Sequence, residues 1–182
     1  ITKQPILTPT GLIRSLGALG AALTQFGATF FTGGGDGSLG GLVVGAAGDV
    51  NNDAIEDFII GAPLADPAGI VDAGKAYVVY GAADFPQGEV LLSDVGTAAP
   101  GVTVQGAAAG DQLGSSVGGG FDVNGDGIDD ALVGAPFADT LVSTPDDAGE
   151  TYVISPVSSD EVVLLSVSPS EPATTVFLEW TV

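Results

Sequence analysis

The chain has 182 residues, 45% of them apolar, which is enough for a real core in one compact domain or a short repeat array. Twenty-three acidic residues stand against three basic ones (Lys3, Arg14 and Lys75), with no histidine, and the net charge of −20 excludes nucleic acid and anionic membrane surfaces as natural partners. The absence of cysteine excludes a disulfide framework, a thiolate nucleophile and a zinc–thiolate site.

In chain order, residues 1–35 carry no acid and read as an apolar extension, either the strands of a preceding partial blade or a short helix and a strand. The apolar run 16–31 is too short and too rich in Gly and Ala to span a bilayer, so no membrane insertion is expected. The chain starts at Ile1 without signal-peptide architecture, which predicts a processed chain or a piece of a longer one. The abundance of Val, Ile, Gly and Pro favours short strands and tight turns over helices.

From Asp36 a unit begins that is written twice. A Gly-rich strand (39–47, then 113–121) suggests close backbone packing, and a short apolar strand (57–61, then 130–134) suits a buried position. A Tyr- and Val-bearing strand follows at 74–80 and again at 149–154. A fourth strand at 89–92 or 102–105 completes the first unit, and 161–167 completes the second. After a Pro-containing turn, 175–182 alternates as a strand with one buried face, Trp180 being a core residue of it. Four short antiparallel strands per repeat make the blade of a propeller or a related sheet array.

Between the first two strands of each unit lies an acidic loop. Asp49-Val50-Asn51-Asn52-Asp53-Ala54-Ile55-Glu56-Asp57 is matched 73 residues later by Asp122-Val123-Asn124-Gly125-Asp126-Gly127-Ile128-Asp129-Asp130. Each window holds four acids in nine residues, in register, and offers side-chain oxygens at positions 1, 3, 5 and 9. The carbonyl at position 7, Ile55 or Ile128, can add a further oxygen. A hard divalent cation prefers this donor set, Ca²⁺ above all, and two such ions would cancel part of the charge where it is densest. Loops of moderate affinity suit the Ca²⁺ concentration outside cells, so an extracellular or cell-surface location is expected.

With Leu39-Gly40 and Leu113-Gly114 before the loops, Gly61-Ala62-Pro63 and Gly134-Ala135-Pro136 after them, and the Gly-x-x-Tyr strands, the pattern resembles the FG-GAP repeat of integrin α-chain propellers and bacterial surface proteins. The resemblance covers about two thirds of the chain, with Leu in place of the usual Phe. It implies an all-β fold of two propeller-like four-stranded antiparallel blades with additional terminal strands, and Ca²⁺ in each hairpin loop. By matching position the ligands are Asp49, Asn51, Asp53, the Ile55 carbonyl and Asp57, then Asp122, Asn124, Asp126, the Ile128 carbonyl and Asp130. Ala54 departs from the Gly that Gly127 supplies; if the position needs a positive φ, the first site binds more weakly. An EF-hand opens with a similar loop but requires Glu at position 12, where Ile60 and Val133 stand here.

The repeat organises the chain as 1–35, a first repeat at 36–106, a second at 107–160 and C-terminal strands at 161–182. Asp66 and Asp139, in register after Gly-Ala-Pro, read as turn residues more readily than as ligands. Catalysis is not expected: there is no His or Cys, Ser115-Ser116 has no base, and the carboxylates serve a cation. A closed propeller takes four to eight blades, and two leave sheet edges open. The expectation is therefore a Ca²⁺-stiffened structural subunit that self-assembles through open edges or terminal strands as a ring or filament. The alternative is a Ca²⁺-dependent adhesion module for a protein or glycan ligand.

Overall fold

A computed structural model describes residues 29–32, 41–86, 88–139, 148–158, 161–167 and 174–178. The Leu39-Gly40 opening of the first repeat, most of the segment 1–35, and Trp180 lie outside the described residues.

The first blade is a four-stranded antiparallel sheet made of β2 (Val43–Gly48), β3 (Asp57–Ala62), β4 (Lys75–Val79) and β6 (Gly101–Gln105), hydrogen-bonded in that order. The second contains β7 (Ser116–Phe121), β8 (Asp130–Ala135), β9 (Glu150–Ser158) and β10 (Glu161–Val167), with β11 (Thr174–Leu178) added as a fifth strand. All pairs within both blades are antiparallel, as the repeat reading requires. The registers match: Phe58 lies opposite Val79 in one blade, and Ala131 opposite Ile154 in the other.

The choice between 89–92 and 102–105 as fourth strand resolves to Gly101–Gln105. The other candidate is β5 (Gly88–Leu91), which runs parallel to β1 (Thr29–Thr32) as a separate two-stranded pair. Packing explains the diversion: Val90, Leu92 and Val95 are buried, and Phe31, Phe58 and Phe85 join them over the outer face of the first blade. Phe31 and Phe58 meet edge to face with centroids 5.4 Å apart, a favourable aromatic geometry.

The main core lies between the blades. Ile59, Val78, Ala76, Ala47 and Val50 from the first pack against Ala131, Val133, Ala135, Leu113 and Ile154 of the second. Full burial of an Ile or Val side chain contributes about 1.5–3 kcal/mol, so this interface carries much of the stability. It is thin because the inner strands are small-residue strands. A Cβ on Gly61 would sit 2.0 Å from the Gly114 carbonyl oxygen, so any larger residue at 61 would force the blades apart.

Candidate metal site in the acidic loops

Each acidic loop joins the first two strands of its blade and folds on its own backbone amides. In the first, the Asp53 N–H donates to Asp49 Oδ1 at 2.9 Å and the Ala54 N–H to Asp49 Oδ2 at 2.8 Å. Asn51 Oδ1 also accepts from the Asp53 N–H, and Asp53 Oδ1 accepts from the Ile55 N–H at 2.8 Å. The second loop repeats the scheme: Asp122 accepts from the Gly125, Asp126 and Gly127 amides, Asn124 from Asp126, and Asp126 from Ile128. These are the local side-chain-to-backbone bonds at which Asp and Asn excel. They place Asp49, Asn51 and Asp53 around one turn, and Asp122, Asn124 and Asp126 around the other.

Two backbone positions per loop are left-handed. At position 6 these are Ala54 (φ 68°) and Gly127 (φ 89°), and at position 4 Asn52 (φ 57°) and Gly125 (φ 81°). The Gly-to-Ala departure in the first loop therefore falls at a strained position. The demand at position 4 is met by residue types that tolerate it, Asn52 and Gly125.

Position 9 closes the loop from the start of the second strand. Asp57 and Asp130 are both buried, and each takes the amide of position 2: Val50 N–H to Asp57 Oδ2 at 2.9 Å, Val123 N–H to Asp130 Oδ2 at 2.6 Å. The remaining oxygens differ. Asp57 Oδ1 accepts the Gly81 N–H at 2.7 Å, whereas Asp130 Oδ1 is fully buried with no hydrogen-bond partner among the described residues. Burial pushes Asp57 up to about 6 against the lowering by the Gly81 and Val50 amides, and the charges of Asp53 and Asp49 add to the rise. Asp122 is held below the ordinary carboxylate range, chiefly by the Gly127 amide.

The loops also touch across the blade interface. Asp129 Oδ2 accepts the Asp49 N–H at 3.0 Å, so the second loop fixes the first residue of the first. On the second blade's side, Asn124 Nδ2 donates to the buried Ser155 Oγ at 2.6 Å. Asp66 serves its turn: Oδ1 accepts the Asp72 N–H at 2.8 Å. Farther along, Asp111 is raised by burial and by the charges of Asp139 and Glu150.

The donor chemistry suits a hard divalent cation. Among the described residues no three acidic side chains already converge as a cage, because the loop carboxylates are turned onto amides. The orphaned Asp130 oxygen is what a cation would complete, since a buried carboxylate oxygen without a partner is costly. The second loop thus fits a divalent ion on structural grounds, and the first on donor type alone.

The FG-GAP repeat family matches residues 41–79 and 113–154, one stretch in each blade. The chain is also similar to integrin alpha pat-2 of Caenorhabditis briggsae, 36% identical over 99 residues, which make up 52% of this chain and 7% of that protein. Among the described residues no helix is long and apolar enough to cross a membrane. Two register-matched antiparallel blades, each with its acidic hairpin loop, coincide with the two matched stretches, and the chain carries two FG-GAP repeats.

Proposed function

We propose that this chain is a Ca²⁺-binding, extracellular propeller-type structural module whose second blade receives a further blade from another copy of the chain. Each acidic loop takes one Ca²⁺: Asp49, Asn51, Asp53, the Ile55 carbonyl and Asp57 in the first, and Asp122, Asn124, Asp126, the Ile128 carbonyl and Asp130 in the second. With these residues as ligands, a bound ion would tie the loop to the start of the second strand and so stiffen the hairpin. Nothing in this role requires catalysis.

One contrast carries the assembly reading. Val50, at position 2 of the first loop, is 2% exposed because the second blade covers it, whereas its counterpart Val123 is 52% exposed. Phe121 beside it is also exposed. An apolar position that is core in one repeat and open in the next is a stacking face waiting for a third blade.

Calorimetric titration of the full chain with CaCl₂ tests the metal reading; two bound ions are expected, and no binding at millimolar Ca²⁺ would refute it. Particle mass by light scattering in Ca²⁺ and in EGTA tests the assembly, with Val123→Arg expected to abolish it. A monomer under both conditions would refute self-assembly. The similarity to an integrin alpha chain favours a second reading, adhesion to a protein or glycan, for which binding of a partner by the monomer is the test.

A further inference from the structure

We propose that the two loops divide unequally, with Pro156 making the second blade depend on a divalent cation while the first blade stands without one. The inference rests on the reading of the loops as Ca²⁺ sites and concerns which of them the fold needs.

The inner three strands of the two blades pair in matching register, so their differences can be located residue by residue. Phe58 opposes Val79 and Ala131 opposes Ile154, which makes Gly81 and Pro156 equivalent, two residues beyond each. At that position the first blade supplies a backbone N–H, 2.7 Å from Asp57 Oδ1. Proline has none to supply. Asp130 Oδ1 is correspondingly the buried side-chain oxygen left without a partner among the described residues.

The first blade's closing carboxylate is therefore held at both oxygens by amides, Val50 and Gly81, and needs no ion to be satisfied. The second blade's carboxylate is held at one, by Val123. Its other oxygen lies inside the fold beside a loop whose Asp122, Asn124 and Asp126 offer further oxygens. A cation bound there satisfies what the missing N–H does not. Pro156 is thus a positioning residue: it touches no ion but leaves a coordination oxygen free. Gly81 is fixed in its role by space as well, since a Cβ there would lie 2.4 Å from the Glu56 carbonyl oxygen.

Hydrogen exchange of the full chain, resolved by blade, tests this in EGTA and in CaCl₂. In EGTA the β8 and β9 amides are expected to exchange roughly tenfold faster than those of β3 and β4, the scale set by one unsatisfied buried group, and Ca²⁺ should close the gap. Pro156→Gly restores the donor and should remove most of the second blade's gain on Ca²⁺ addition. Should that variant fold poorly, a pair of carboxamides decides the matter in EGTA. Asp57→Asn sets its new amide against a backbone donor and should destabilise strongly, whereas Asp130→Asn, which can turn its amide to the side of the unpartnered Oδ1 and keep its oxygen on the Val123 N–H, should not. Equal exchange of the two blades in EGTA, an unchanged Ca²⁺ response in Pro156→Gly, or equal destabilisation by the two carboxamides would overturn the inference while leaving Ca²⁺ binding intact. Absence of any Ca²⁺ binding by calorimetry would overturn both.

Discussion

Exchange of Ala54 for Gly should stabilise the protein, and the reciprocal Gly127→Ala should destabilise it by a similar amount. Both residues sit at position 6 with φ of 68° and 89°, and both donate an N–H to the first Asp of their loop at 2.8 Å. The swap thus leaves the hydrogen bond in place and changes only a Cβ. At Gly127 that Cβ would meet nothing within 4 Å, so the penalty is conformational and not steric. An L-residue in the left-handed region costs about 1–2 kcal/mol, and the freer unfolded chain of glycine offsets about 0.4–1 of it. The net is about 0.5–1 kcal/mol in each direction, a urea midpoint shift of about 0.3–0.5 M for a typical slope. Urea unfolding in EGTA and in Ca²⁺ reads it directly. If Ala54→Gly lowers the midpoint, or Gly127→Ala leaves it unchanged, backbone strain is not what distinguishes the loops.

Three other outcomes follow from the geometry. Asp129→Ala removes the acceptor of the Asp49 N–H across the blade interface and should cost about 1.5–3 kcal/mol, read by thermal unfolding, with Asp129→Asn recovering part. Gly61→Ala places a Cβ 2.0 Å from the Gly114 oxygen and should destabilise by at least about 1–3 kcal/mol; a wild-type melting temperature would contradict the close approach. Asp57, raised from 3.8 to about 6 by burial, binds its proton more tightly folded than unfolded, so stability falls as pH rises through that window. In decalcified buffer the melting temperature should accordingly rise from pH 7 to pH 5; a flat profile would refute the assignment.

The sequence made the repeat legible because its strongest signals are local. The acidic loops, Gly-Ala-Pro and the Tyr strands each sit within a few residues, so the blade order and the buried second strands could be read directly. The Gly-rich strands announced close packing, and the structure supplies the surface they approach: the neighbouring blade's backbone. The diversion of Gly88–Leu91 to a parallel partner was not legible, because its apolar pattern suits either a blade edge or a cap. What decides is the aromatic cluster of Phe31, Phe58 and Phe85, drawn from three distant segments. The Asp49–Asp129 contact was hidden for the same reason, spanning 80 residues.

The two loops look like near copies, with the second the better formed because Gly127 suits its turn. Strain is only half of the difference. The first loop carries an unfavourable residue at Ala54 yet has its closing carboxylate fully satisfied; the second has an unstrained turn around an unsatisfied one. These biases act differently. The left-handed turn position is the same with or without an ion, so its strain lowers the stability of both states alike, while the missing donor at Pro156 penalises the ion-free form alone. Only the second bias enlarges the difference between bound and free states at the second site. Tighter binding and stronger coupling of folding to Ca²⁺ should therefore coincide in the second blade, and because Asp129 reaches from that blade to Asp49, ordering it also orders the entrance to the first loop.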